Sequence, residues 1–406
     1  MTEEDPAEHD FGVRRQASFA GDGNVPYDRE LIRSGGVSRS GDRRRQASPR
    51  RPVHRPGRDA RRPGSVGRTT RIILLLLLVA AVVSGVLLFT RAAAFNASVS
   101  SAPFPSSALF GSLNGDGRVN ILMIGYGGAG HDGAYLADSI QVLSIDAATD
   151  TTTTIPIPRD LWIEGLATFA QNGKANEVFA IGHQSGADEG AGGLDAAGDL
   201  MAAVISEVTG LEIRHWLSID FPGFRDMVDA VGGVTVANPV AFEYTHHPEF
   251  HAAGNWEAGG FTAGDIHLDG AQALAYARAR YTSVVAESND FARSIRQARI
   301  LGALRSEIGE GGAGAILPGL ALMDAMEGGV RTNVSAIDLF LISSHLASDR
   351  RVELAEGPVL TATTNTIGQY ILIPTGWSGP GDYAGLQAYL TGELSQPIGA
   401  RAADAP

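Results

Sequence analysis

The chain of 406 residues contains no cysteine and a single lysine, Lys174. The lack of cysteine fits an exported domain that avoids stray oxidation, and it excludes a Cys-His nucleophile. The sequence also lacks a convincing Ser-His-Asp arrangement, an internal repeat in its folded part and a helix-turn-helix pattern. These absences argue against a covalent enzyme intermediate and against sequence-specific DNA binding.

One long segment lacks charge altogether. Ile72 to Phe89 reads IILLLLLVAAVVSGVLLF, eighteen uncharged residues between Arg71 and Arg91. At 1.5 Å per residue this helix would be about 27 Å long, close to the thickness of a bilayer's hydrocarbon core. A cleaved signal peptide would have a shorter apolar region and would start near residue 1. We therefore predict one transmembrane helix at residues 72–90.

Charge is distributed unevenly around this segment. Residues 1–71 contain 16 Arg and 10 Asp or Glu, a net charge of +6, whereas the remainder of the chain carries −19. Arginines that flank a span favour the cytoplasmic side, so we expect a cytoplasmic N-terminus and an extracytoplasmic C-terminal domain. That acidic domain would repel nucleic acid, which we do not expect as a partner.

The first 71 residues are rich in Arg, Gly, Pro and Ser, a composition typical of disordered chains. The motif RRQAS occurs twice, ending at Ser18 and Ser48. One interpretation is a solvated basic tail that touches anionic lipid headgroups. The other is that both serines are targets of a basophilic Ser/Thr kinase, whose phosphates would weaken that attraction. The sequence does not decide between them.

The remaining segments alternate between strand and helix patterns. Residues 91–116 are small and polar and predict a short stalk, residues 117–395 a folded domain, and residues 396–406 a disordered end. Buried-strand runs such as VNILMIG alternate with helical patterns such as LDAAGDLMAAVISEVTG. This order predicts a three-layer α/β/α domain with a central mixed β-sheet, preceded by the transmembrane helix. Residues 240–266 read as a polar surface loop that carries several His.

The few basic residues of the acidic domain are clustered. Guanidinium groups bind phosphate oxygens bidentately, so several that converge on one pocket would suit a diphosphate. Ion pairs on a solvated surface are the alternative. The clustered arginines, together with Arg159 at a Pro-bounded strand end, are Arg278, Arg280, Arg293, Arg296 and Arg299.

Helical geometry sharpens this prediction. If Asp290 caps the helix that follows, Arg293 and Gln297 share one face of it. Arg278 and Arg280 point the same way only if the chain is extended there. Asp138, Asp160 and Asp290 are candidate ligands for Mg²⁺, which takes one or two carboxylates and otherwise binds phosphate and water. Each of them could instead be a cap or turn residue.

Seven segments, taken in order, resemble the LytR-CpsA-Psr family of the bacterial cell envelope across residues 118–310, with a weaker match beyond. An ordered set of this length is far more specific than any single motif. The segments are NILMIG, ADSIQVLSID, IPRDLW, KANEVFA, IDFPGFRDMVDAVGGV, HLDGAQALAYARAR and NDFARSIRQ.

The resemblance implies a membrane-anchored transferase that moves a glycopolymer, with its proximal phosphate, from a polyprenyl-pyrophosphate carrier to a hydroxyl of peptidoglycan. It implies Mg²⁺ or Mn²⁺ at Asp138. It places Lys174, Arg296 and Gln297 on the lipid side of the pyrophosphate. It also implies catalytic positions around the pyrophosphate, with Asp160 or Asp290 open as general base: Arg159, Arg278, Arg280, Asp290 and Arg293.

The first strand departs from the family pattern. Many members carry Asp two residues after its glycine, where this chain has Gly127. Asp132 or His131 could replace that ligand. Gly127, Gly128 and Gly130 could instead admit a phosphate to the backbone, or form a plain turn.

Three questions remain open. Water as acceptor would make the chain a hydrolase of lipid-linked pyrophosphate, and a non-enzymatic envelope regulator is a further alternative. The apolar stripes of FPGFRDMVDAV and IRQARILGALRSEI could enclose a lipid tunnel or simply form the core. The glycopolymer itself is not identified by the sequence.

Overall fold

The computed structural model describes residues 66–105, 114–186, 190–245, 258–310, 316–343, 345 and 350–396. The greater part of the predicted tail, including Ser18 and Ser48, lies outside the described residues, as do residues 397–406. His246, His247 and His251 also lie outside them.

Helix α1 spans Val66–Val99 and contains the apolar segment. Gly67–Val99 is long and apolar enough to cross a membrane, and its most apolar window is not buried within the structure. The helix extends well beyond the predicted boundary at residue 90. Its last turns pack into the domain, because Phe95 and Val99 are buried. The predicted stalk is therefore wrong for residues 91–99, while residues 106–113 lie outside the described residues.

The strands of the domain are β1 (Arg118–Tyr126), β2 (Ala137–Asp146), β3 (Thr151–Pro156), β4 (Trp162–Ile163), β5 (Gly173–Lys174), β6 (Ile213–Asp220), β7 (Val234–Asn238), β8 (Phe242–Thr245), β9 (Ala258–Phe261), β10 (Gly264–Leu268), β11 (Val330–Thr332), β12 (Arg350–Arg351), β13 (Leu360–Thr364) and β14 (Tyr370–Pro374). The helices after α1 are α2 (Ala175–Ser185), α3 (Ala191–Thr209), α4 (Phe221–Ala230), α5 (Gly270–Arg278), α6 (Asp290–Glu310), α7 (Ile316–Met326), α8 (Ala336–Ser343) and α9 (Ala384–Ser395).

Six strands form the central sheet in the order β11-β6-β1-β2-β3-β12. Strand β1 is parallel to β6 and antiparallel to β2, so the sheet is mixed as predicted. Because side chains alternate across a strand, β1 presents Leu122 and Ile124 to one face and Ile121 and Met123 to the other.

The first face is covered by α2, α3 and α9. Packing there is close, since a Cβ added at Gly198 of α3 would overlap the indole ring of Trp216 on β6. Trp216 is fully buried and its Nε1 donates to Asp199 at 2.7 Å. Helix α3 ends at Gly210, whose φ of 72° is the left-handed conformation that glycine adopts readily.

The second face carries α8 near the start of β1 and a smaller apolar core built from α4, α5, α6 and nearby strands. Helix α4 is capped by Asp220, whose side chain accepts from the Gly223 backbone N–H at 2.7 Å. Asp269 caps α5 in the same way, accepting from Gln272 at 2.8 Å.

The predicted loop at residues 240–266 is wrong for its described parts. Strands β8 and β9 pair there as an antiparallel hairpin, and β10 pairs with β7. Aromatic side chains explain the pairing, because Tyr244 and Phe261 stack with centroids 5.4 Å apart and Phe242 is buried beside them.

Candidate active site

A cavity of about 1300 Å³ lies between the second face of the sheet and helices α4, α5 and α6. One end of it is lined by charged side chains at the strand ends, and we call this end the mouth. The lining includes all of the predicted site residues except Arg296 and Asp290, namely Asp138, Arg159, Lys174, Arg278, Arg280, Arg293 and Gln297.

Strand ends place the first part of the mouth. Asp138 is the second residue of β2, and Arg159 follows the end of β3, which is antiparallel to β2 and so ends beside its start. Arg159 Nη1 lies 3.6 Å from Asp138 Oδ1. The Asp138 side chain is 34% exposed, which leaves its carboxylate accessible from the cavity.

Lys174 and Asp160 form a second charged pair beside Arg159. Lys174 Nζ donates to Asp160 Oδ1 at 2.6 Å, and Arg159 Nε lies 3.4 Å from the other oxygen. Asp160 is buried, so it serves to position both cations at the cavity wall.

Helix α6 places Arg293 and Gln297 on one face, as predicted. Arg293 Nη2 donates to the Asp138 carbonyl at 3.3 Å. One turn further along, Gln297 Oε1 accepts from Ser139 Oγ at 3.0 Å and from Gln141 Nε2 at 3.2 Å. Both side chains therefore lie against the start of β2.

Arg278 and Arg280 both reach the cavity because α5 ends between them. Arg278 is the last residue of α5, and Ala279 is extended with ψ at 125°. This is the unwinding that the two-residue spacing predicted. The Arg278 guanidinium lies 4.3 Å from the centre of the Phe221 ring, at the start of α4.

The prediction for Arg296 is wrong. Its side chain is fully buried, and it donates to the carbonyl oxygens of Tyr276 at 3.0 Å and Ala279 at 2.6 Å. A third bond, also of 2.6 Å, joins Nη1 to the Glu287 carboxylate. Burial lowers the pKa of Arg296 and Glu287 opposes that shift. Arg296 therefore holds the segment that carries Arg278 and Arg280, rather than a ligand.

The prediction that Asp290 caps α6 is also wrong. Asn289 is the cap, because its Oδ1 accepts from the Ala292 N–H at 2.7 Å. Asp290 is the first residue of the helix, and its side chain lies outside the described residues.

The loop after β1 is closed in part by its own backbone hydrogen bonds. The Gly128 N–H donates to the Ala134 carbonyl at 2.8 Å, so this amide serves the loop itself. A Cβ at Gly127 would lie 2.8 Å from the His131 ring, so any side chain there would have to displace His131.

His131 is engaged at both ring nitrogens. Its Nδ1 donates to the Asp132 carbonyl at 2.7 Å, since a carbonyl oxygen can only accept. Nε2 then accepts from Arg278 Nη2 at 3.3 Å. Glycine at position 127 leaves room for the His131 imidazole, which orients Arg278. These contacts do not support His131 as a metal ligand.

Several lining residues were missed by sequence reasoning. Asp220 ends β6 beside the end of β1, and the carboxyl end of a parallel strand is a usual position for a site residue. Arg351 donates to Ser294 at the opposite wall, and burial lowers its pKa. Nothing in the motif of RRVEL singles out Arg351, because its position depends on how β12 pairs with β3.

Away from the mouth the cavity is apolar. The sheet contributes Met123, Leu217 and Ile219, and the helices cover them. Phe224, Ile300 and Leu301 come from the two stripes that were assigned to either a tunnel or the core, and α5 adds Leu274. The stripes thus line a cavity, with an apolar interior and a cationic mouth.

Fold and site together define an α/β/α domain in which a cationic mouth opens onto an apolar cavity. Residues 88–375 match the LytR_cpsA_psr family, and the chain belongs to that family.

Two of the similar proteins share a name with each other. The polyisoprenyl-teichoic acid–peptidoglycan teichoic acid transferase TagU of Bacillus anthracis is 28% identical over 223 residues, which are 55% of this chain and 62% of the relative. The chain thus spans less than two thirds of that relative's length. TagU of Oceanobacillus iheyensis is 27% identical over 63% of this chain and 71% of its own. The crystal structure of B. subtilis TagV, 22% identical, covers 70% of this chain and 100% of its own with a TM-score of 0.48.

Proposed function

We propose that this chain is a membrane-anchored phosphotransferase. It moves a glycopolymer with its proximal phosphate from a polyprenyl-pyrophosphate carrier to a hydroxyl of peptidoglycan during cell wall assembly. Helix α1 anchors it with the N-terminus in the cytoplasm and the domain outside. The observation that carries the proposal is the cavity, whose cationic mouth and apolar interior match the two parts of such a donor.

The mouth supplies the electrostatic part of the reaction. Phosphoryl transfer requires positioning and charge neutralisation more than covalent help from the protein. Arg278 and Arg280 approach from α5, Arg159 from β3 and Arg293 from α6. Arriving from different elements, they can contact both phosphates of a diphosphate and stabilise the charge that grows on its bridging oxygen.

In the proposed step the acceptor hydroxyl oxygen forms a bond to the phosphorus on the glycan side. The bond from that phosphorus to the bridging oxygen breaks, and polyprenyl phosphate leaves with the bridging oxygen. The hydroxyl proton passes to a carboxylate, for which our candidate from the sequence is Asp290, the first residue of α6. Asp160 is already engaged by Lys174 and Arg159.

Asp138 fits the Mg²⁺ or Mn²⁺ that the family implies. No group of three or more acidic or His residues within the described part of the chain could hold a metal on its own. A single accessible carboxylate is nevertheless sufficient where substrate phosphates and water complete the shell. Asp138 would hold the ion, which would neutralise charge on the diphosphate.

The interior of the cavity suits the isoprenoid chain. Its walls are apolar on both the sheet side and the helix side, so they can replace the contacts that the chain would otherwise make with lipid. Gln297 and Lys174, which line the cavity, would contact the phosphate on the lipid side of the diphosphate.

A transfer assay tests the proposal. The full chain in vesicles would receive a polyprenyl-diphosphate glycan labelled with ³²P on the glycan side, together with peptidoglycan. We expect label bound covalently to peptidoglycan. Replacing Arg278 and Arg280 with Ala should abolish the transfer, whereas Arg305→Ala, at an exposed position of α6, should not.

The other outcomes identify the alternatives. Label recovered only as free glycan phosphate would indicate a hydrolase. No release from the carrier, with the chain shown to be folded, would favour a binding protein or regulator.

A further inference from the structure

The end of helix α1 packs against the edge of the central sheet. Ser100, directly after the helix, pairs with Thr332 of β11 in the parallel sense. Its hydroxyl donates to the Val334 carbonyl at 2.6 Å, and Arg331 Nη1 donates to the Ser98 carbonyl at 3.1 Å. The transmembrane segment and the sheet are therefore joined by a continuous helix and a set of buried contacts rather than by a stalk.

Strand directions show which end of the sheet faces the anchor. Strand β11 is antiparallel to β6, so the residues that precede β11 lie beyond the carboxyl end of β6. The Asp220 N–H, at that end, donates to the Gly329 carbonyl at 2.9 Å. Arg91 of α1 pairs with Glu327 at 2.7 Å and also with Asp324. Residue 91 thus lies level with the carboxyl end of β6.

The mouth occupies the same end of the sheet. Strand β1 is parallel to β6, and Tyr126 at its end pairs with Asp220. Strand β2 starts there too, since Ala137 pairs with Tyr126, and Asp138 follows. Phe221, directly after β6, lies under the Arg278 guanidinium.

The height of this end above the bilayer follows from the helix. The uncharged run ends at Phe89, two residues before Arg91, which is about 3 Å along the axis. The headgroup region on each side of a bilayer is roughly 5–8 Å thick. The opposite end of the sheet is separated from this end by the length of β2, ten residues or about 30 Å along the strand.

We infer that the mouth opens toward the bilayer surface at the level of the lipid headgroups, so that a lipid diphosphate meets the arginines at the height at which it already lies in the leaflet. The inference rests on the proposed function in that α1 must span the membrane. Charge is consistent with this orientation. The chain after residue 71 carries a net charge of −19, so the clustered arginines are the part of its surface that an anionic bilayer would attract.

Because the chain contains no Cys, single-Cys spin labels test this orientation in the full protein in vesicles. Val285 is 87% exposed, just before the start of α6 at the mouth. Phe340 is 76% exposed on α8, which packs near the start of β1 at the far end. Neither is a site residue. Relaxation by Ni²⁺ chelated to lipid headgroups should be at least about fivefold greater for Val285→Cys than for Phe340→Cys.

Two controls separate the possible failures. A label at Ser84→Cys, within the span, should be relaxed by oxygen dissolved in the acyl region; without that, the anchoring in the proposed function fails. If Ser84 lies in the bilayer but Val285 is relaxed no more than Phe340, the orientation is wrong while the anchoring stands. A flexible Gly-Ser insertion between Thr90 and Arg91 should remove the difference between the two labels.

Discussion

The two faces of the central sheet carry the same alternation of apolar residues but are covered in different ways. On the first face α3 lies so close that Gly198 has no room for a side chain above Trp216. On the second face α4, α5 and α6 leave about 1300 Å³ between themselves and the sheet. One face stabilises the domain and the other provides the space in which a ligand is bound. Substitutions on the two faces should therefore differ in what they change.

The largest effect is expected at the mouth. Arg159→Ala removes a guanidinium beside Asp138 and should lower kcat/KM for transfer by about 10²–10³-fold, the usual cost of losing one preorganised donor. The midpoint of thermal unfolding should change little, because the side chain is partly exposed. The kcat/KM of Arg159→Lys should lie between those of the wild-type protein and Arg159→Ala, because lysine keeps the charge but lacks the planar guanidinium group. A large drop in the midpoint of thermal unfolding would contradict the view that this face serves ligand binding rather than stability.

Leucine truncation compares the two faces directly. Leu122 is fully buried against the first face, so Leu122→Ala should lower the free energy of unfolding by about 2–5 kcal/mol. Leu301 already borders a cavity, so Leu301→Ala removes fewer packing contacts and should cost less. Denaturant unfolding of both variants in detergent measures the difference. Equal losses would mean that the second face is packed as closely as the first.

A methyl group added at each of two helical glycines should change the free energy of unfolding in opposite directions. Gly198→Ala overlaps Trp216 and should destabilise the protein by about 1–3 kcal/mol. Gly302→Ala on α6 meets no atom within 4 Å, so the helix preference of alanine should stabilise it by about 0.5–1 kcal/mol. The same unfolding experiment reports both. Stabilisation by Gly198→Ala would contradict the close packing of α3.

The smallest effect concerns pH and Asp220. Burial raises the pKa of its carboxyl, against the hydrogen bond from Gly223. Between its ordinary pKa and this higher value the folded state binds more protons than the unfolded state, so stability from this group is lost as pH rises through that window. Asp220→Asn keeps the cap without titrating.

The stability of Asp220→Asn relative to the wild-type protein should therefore increase from about pH 4 upward, starting near the ordinary pKa of Asp. Unfolding free energies of both proteins measured across that range provide the test. If the stability of the wild-type protein relative to the variant increases as pH rises, the pKa of Asp220 is lowered instead.

The sequence predicted the strands and helices well because their periodicity is local. It also predicted that Arg278 and Arg280 act together, since only an extended chain points residues two apart the same way. It could not separate Arg293 from Arg296, which lie one turn apart on α6. Arg296 turns toward the carbonyl groups at the end of α5, and that depends on how the two helices pack.

The stalk was predicted wrongly and the choice between tunnel and core stayed open, for a related reason. Residues 91–99 are small and polar, as a linker would be, yet two buried side chains in them are enough to dock the helix. The stripes of α4 and α6 would look the same over a solid core. Whether apolar residues meet each other or enclose space is decided by the distance between layers, which the pattern of one segment does not contain.

The most direct test of the account locates the isoprenoid chain. A polyprenyl diphosphate with a photoreactive diazirine in mid-chain would be cross-linked to the full protein in vesicles, and the labelled peptides identified by mass spectrometry. The account predicts adducts on the residues that line the second face, in β6, α4 and α6, and weaker labelling when Leu301 is replaced by Trp. Adducts confined to α1 or to the first face would contradict it.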